Sequence, residues 1–84
     1  MNNTIKINTR FEMKNALFEF LYDEIYSGKI QKFNFYRIKG YYRLTVYKTS
    51  QKEPVTLVFP ICKGLTNKTL LEWIKREYNK AIQN

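Results

Sequence analysis

Eighty-four residues, 44% of them hydrophobic and 17% aromatic, suffice for one small core, leave no room for a second domain and do not have the composition of a disordered tail. Fifteen Lys and Arg against seven Asp and Glu give a formal charge of +8, a field that draws nucleic acid, an anionic membrane surface or an acidic protein, with solubility alone as the plain alternative. A lone cysteine, Cys62, and no histidine exclude an internal disulfide and the usual zinc and haem ligand sets, so neither metal nor cofactor is expected.

The opening "MNNTIKINTRFEMK" has no apolar run behind a basic segment, so it does not read as a secretory signal, and no window approaches the ~20 apolar residues that span a bilayer. A cytoplasmic protein is the expectation. Asn, Lys, Ile, Tyr and Phe are all abundant and have AT-rich codons, which suits a low-GC bacterium, its phages or its mobile elements.

"TIKIN" reads as an edge strand or a loose arm. Thr9 and Glu12 in "TRFE" then have capping-box spacing, which predicts a helix start. From there Met13, Leu17, Phe20, Leu21 and Ile25 recur at helical intervals, with Phe11, Phe18 and Tyr22 widening the buried stripe. Glu12, Glu19, Asp23 and Glu24 read as its solvated polar face, balancing cations by helical spacing. Gly28 in "YSGK" supplies the left-handed residue that ends a helix.

Beyond Gly28 the period changes to two, and β-branched and aromatic residues take over. Lys39-Gly40 sits between two such runs as a two-residue hairpin loop, although Lys is not favoured at the first position of a type I′ turn. That loop sets Ile38 opposite Tyr41, and from this register Phe35 lies opposite Leu44 and Phe33 opposite Val46 on one face. On the other face it sets Tyr36 opposite Arg43, Asn34 opposite Thr45 and Lys32 opposite Tyr47. One face is thus apolar and the other carries Tyr, Lys, Arg, Asn and Thr, and a slip of one residue would destroy that separation.

"TSQKEP" is a polar connection to a third strand in which Val55, Leu57, Phe59 and Ile61 alternate inward, and Pro60 implies an edge position or the end of pairing. Cys62 beside the strand end reads as a small half-buried apolar residue. The closing helix has Thr69 and Glu72 at capping-box spacing, with Thr66 or Asn67 able to cap one turn earlier. Leu70, Leu71, Ile74, Tyr78, Ala81 and Ile82 form its buried stripe, and Trp73 lies at the core rim.

The expected architecture is α+β: an α-β-β-β-α two-layer sandwich, with two helices on one face of a three-stranded antiparallel sheet. That order, together with "KEPVTLVFPICKGLTNKTLLEWIKRE", resembles the HicA-type toxins and, more distantly, the double-stranded-RNA-binding domains that share it. The likeness lies in the third strand, its late Pro, the Gly-containing turn and the Thr-Leu start of a basic helix. In HicA-type toxins a histidine shortly after a hairpin glycine carries RNA cleavage, whereas here Tyr41 and Tyr42 follow Gly40 and the catalytic histidine is absent. The lysine-rich signature of the RNA-binding family is represented only by Lys63 and Lys68.

No nucleophile with a positioned base stands out, so no catalytic residue is expected. The strongest candidate is the polar sheet face, where Lys32, Asn34, Tyr36, Arg43, Thr45 and Tyr47 would form a nucleic-acid-binding platform. Lys39 and Tyr41 at the hairpin tip would reach into a groove. The structural alternative is that tyrosines favour strands and basic residues protect an edge. The sequence therefore points to a non-enzymatic nucleic-acid-binding protein, DNA or RNA, with no small-molecule substrate and no membrane role. Two alternatives stay open: an inhibitor of a host defence nuclease such as a CRISPR effector, and a histidine-free ribonuclease toxin using Tyr36, Arg37, Tyr41 and Arg43.

Overall fold

The computed structural model describes residues 10–83. Helices α1 (Arg10–Phe20) and α2 (Tyr22–Tyr26) lead into strands β1 (Ile30–Ile38), β2 (Tyr41–Lys48) and β3 (Val55–Pro60), and the chain closes with α3 (Asn67–Gln83). The strands form one antiparallel sheet in the order β1-β2-β3. Both the first helical segment and α3 pack on one of its faces, giving the expected α-β-β-β-α sandwich with the other face open.

The capping box expected at Thr9 and the "TIKIN" segment fall outside the described residues, as does the side chain of Phe11. Helices α1 and α2 are one helical run broken at Leu21, where φ −97° and ψ 7° depart from helical values. Backbone bonds from Leu21 N to Leu17 O and from Ile25 N to Leu21 O, both 2.9 Å, carry the ladder across that residue. The run ends in a Schellman motif: Lys29 N–H donates to Glu24 O at 2.8 Å and Gly28 N–H to Ile25 O at 3.1 Å, with Gly28 at φ +86°.

The hairpin has the register read from its loop, Ile38 facing Tyr41 and every pair down to Lys32 and Tyr47 as expected. Lys39 and Gly40 both adopt positive φ, 28° and 58°, as a turn matched to the twist of its strands requires. One irregularity departs from the sequence pattern. A bulge at Gln31 shifts the pairing, so Ile30, which strict alternation would put beside Lys32 on the open face, is buried on the helix side.

Met13, Leu17 and Leu21 from the first helical segment meet Ile30, Phe35, Tyr42, Leu44, Val46 and Phe59 from the sheet and Leu70, Ile74 and Tyr78 from α3. The predicted inward set of β3 holds, with Phe59 buried and Val55, Leu57 and Ile61 packed against the core. Trp73 packs edge-on against Phe59, ring centroids 5.1 Å apart, in the expected rim position. Tyr42 stacks on Phe35 at 5.4 Å and is wholly interior.

Four expectations about burial are corrected. Phe18 and Tyr22 are half exposed, because their helical positions face away from the sheet; Ile82 is 40% exposed on the last turn of α3; Cys62 is exposed beyond the end of β3. Nor is the acidic set merely a solvated face. Glu24 accepts a hydrogen bond from the Tyr78 hydroxyl at 2.8 Å and pairs with Lys48 at 3.5 Å, tying α2 to α3 and β2. Glu12 accepts from the Asn67 amide at 3.3 Å, where α1 meets the start of α3.

The cap of α3 is Thr66. Its hydroxyl accepts from Thr69 N–H at 3.2 Å while the Thr69 hydroxyl accepts from Thr66 N–H at 3.0 Å, a reciprocal box with threonine where glutamate usually stands. The helix thus starts one turn before the Thr69–Glu72 alternative.

Candidate functional site

Antiparallel alternation brings Lys32, Asn34, Tyr36 and Ile38 of β1 onto the open face with Tyr41, Arg43, Thr45 and Tyr47 of β2, since paired residues share a side. From β3 come Thr56, Val58 and Pro60, opposite Thr45, Arg43 and Tyr41. Six of the first eight side chains belong to the platform expected from the sequence, and Tyr41 stands at the tip as expected. Ile38 and the contribution of β3 are additions, although the inward alternation of Val55, Leu57 and Phe59 already implies that Thr56 and Val58 point outward.

Two cross-strand pairs organise the face. Lys32 places its ammonium 4.9 Å from the ring centroid of Tyr47, directly opposite it in the ladder. Arg43 places its guanidinium carbon 5.3 Å from the Tyr36 ring and donates from Nε to the Tyr36 hydroxyl at 2.8 Å. That hydrogen bond first, and the nearby Tyr36 phenol next, hold the guanidinium above the ordinary arginine pKa. In both pairs the ring supports the cation and restricts where it can point.

Between the pairs lie Asn34 and Thr45. Asn34 is exposed, whereas Thr45 is only 8% exposed and forms the floor, its hydroxyl recessed among its neighbours. Lys39 is exposed at the turn and Tyr41 is half-buried between Ile38 and Pro60. The tip is not a free ribbon, because Ile61 N–H donates to Gly40 O at 2.9 Å and carries β3 alongside it to the turn.

Charge is distributed unevenly. The strands and hairpin turn contain Lys32, Arg37, Lys39, Arg43 and Lys48 and no Asp or Glu; all seven acidic residues lie on the helices or, for Glu53, in the β2–β3 connection. Lys48 is engaged on the helix side by Glu24, and Arg37 is exposed at the end of β1. A second surface lies outside the sequence expectation. Phe18, Tyr22 and Tyr26 form an exposed aromatic ladder along α1 and α2, with Phe18 edge-on to Tyr22 at 6.3 Å and Tyr22 stacked on Tyr26 at 5.8 Å. Its signal is the i, i+4, i+8 spacing, which by itself fits a wider buried stripe equally well.

Among the described residues no helix is long and apolar enough to cross a membrane. Compared with known protein families, with curated proteins and with solved structures, the chain matches none. The small α+β fold, with three antiparallel strands and helices on one side, is compatible with the expected α-β-β-β-α arrangement, and no match supports the HicA-type or double-stranded-RNA-binding likeness itself.

Proposed function

We propose that this chain is a non-enzymatic nucleic-acid-binding protein of a phage or mobile element that engages its ligand through the open sheet face and the hairpin. The observation that supports it is the acid-free sheet, whose outward cations Lys32 and Arg43 are each braced on a tyrosine of the neighbouring strand. Preset cations meet phosphates with little further ordering, which favours a polyanion over a neutral partner. The phage or mobile-element source rests on the AT-rich residue composition alone.

Fluorescence anisotropy with labelled oligonucleotides at low and near-physiological salt tests this reading. Binding should weaken steeply as salt rises, because each neutralised phosphate releases counterions, and Tyr36→Ala with Arg43→Ala should abolish it. Salt-insensitive binding, or none at low salt, defeats the proposal.

The Phe18, Tyr22 and Tyr26 ladder favours a second reading, an inhibitor that docks on a host defence nuclease such as a CRISPR effector, since exposed tyrosines are enriched at protein interfaces. That reading requires a stoichiometric complex that blocks cleavage and is lost with Tyr22→Ala and Tyr26→Ala. A complex that survives both substitutions removes the ladder from the interface.

A further inference from the structure

Building on the proposed nucleic-acid role of the open face, we infer that its ligand is a duplex, held by the phosphate backbone and without regard to base sequence. Proteins that hold single strands offer aromatic rings on which successive bases stack. On this face one ring, Tyr41, is half-buried between Ile38 and Pro60, and the rings of Tyr47 and Tyr36 are already turned to cations, at 4.9 and 5.3 Å. A base stacked on either of those ring surfaces would displace the very cation that meets the adjoining phosphate. The Tyr36 hydroxyl accepts from Arg43 Nε, which leaves its own O–H and the two terminal guanidinium nitrogens to address an anion.

Reading of base edges is poorly served as well. Thr45 is recessed, and Ile38, Val58 and Pro60 bring no side-chain donor, so the exposed Asn34 amide on β1 and Thr56 hydroxyl on β3 are the neutral polar groups left beside the tyrosines. A two-stranded ribbon enters a major groove about 12 Å wide, but here β3 continues to the hairpin tip, so the outer strand axes stand about 10 Å apart before side chains are added. With side chains added, that width favours a sheet lying across the duplex backbone over one seated in the groove. Lys32 and the Tyr36–Arg43 pair, four positions apart along β1, are separated by about 13 Å. A fixed spacing of cations on a rigid sheet suits the regular phosphate array of a duplex, a chemistry shared by DNA and RNA.

The deciding measurement is an anisotropy titration of the full chain against two DNA duplexes of unrelated sequence, one RNA duplex and the separated strands of each, with tyrosine fluorescence followed in parallel. The inference requires at least one duplex type to bind about tenfold or more tighter than its own strands, the two DNA duplexes to agree within about threefold, and no stacking-induced tyrosine quenching. Comparing the DNA and RNA arms identifies the duplex. Preference for single strands with quenched tyrosine, or strong discrimination between the two DNA sequences, overturns the inference while the polyanion reading stands. Absence of binding to every probe overturns both.

Discussion

At the scale of single residues, the contact that sequence reasoning was least able to find is the triad of Glu24, Lys48 and Tyr78. Lys48 is 24 residues from Glu24 and 30 from Tyr78, and neither helical nor strand periodicity links them. Burial first, then the hydrogen bond to Glu24 and its charge, pushes the Tyr78 hydroxyl well above the ordinary phenol value of 10.0. The native chain therefore keeps this proton at pH values where the unfolded chain has released it. The unfolded state then binds fewer protons, and stability falls as pH rises above about 10. Tyr78→Phe keeps the ring against Phe20 but removes the donor to Glu24, and should cost about 1–2 kcal/mol at neutral pH in urea unfolding. The gap between wild type and variant should close above about pH 10; a gap that persists there contradicts the role assigned to the hydroxyl.

At the scale of elements, the hairpin was the most legible part of the chain, because Lys39-Gly40 fixes the register and the apolar and polar faces separate only in that register. The irregularities were not legible. Neither the bulge at Gln31 nor the break at Leu21 carries a proline or glycine, so no local residue signal marks either. The predicted helical stripe is too wide for the same reason, since Phe18 and Tyr22 are apolar in type yet face outward. The sequence singled out the cations and tyrosines of the candidate site but did not show that Lys32 and Arg43 each rest on a ring, which depends on side-chain direction across strands.

The turn itself yields a prediction. An alanine Cβ at Gly40 would meet nothing within 4 Å, so the cost of Gly40→Ala is purely conformational and should be about 1–2 kcal/mol at φ 58°. Lys39→Asn places a residue that tolerates positive φ at a position now held by lysine at φ 28°, and should raise stability by up to about 1 kcal/mol. It also removes the cation at the tip. Thermal unfolding and oligonucleotide affinity should therefore move in opposite directions in this variant. If affinity is unchanged, Lys39 plays no part in binding.

At the scale of the whole molecule, the helices balance six acidic residues with six cations while the sheet and hairpin turn carry five cations and no acid, so the excess positive charge is weighted toward the sheet and the connections. A general attraction by total charge and a localised site make different predictions for charge reversals at different places. Arg43→Glu and Lys68→Glu each lower the formal charge by two, yet the first lies at the centre of the open face and the second is exposed in the first turn of α3. A carboxylate in that first turn also suits the helix dipole, so Lys68→Glu should leave the fold intact. If the open sheet is the contact surface, Arg43→Glu weakens nucleic-acid affinity by about tenfold or more and flattens its salt dependence, whereas Lys68→Glu changes it by only about twofold. Equal losses in the two variants would mean that the protein answers to its total charge and that the tyrosine-braced cations are not a site. A larger loss from Lys68→Glu would move the contact surface to the helix layer.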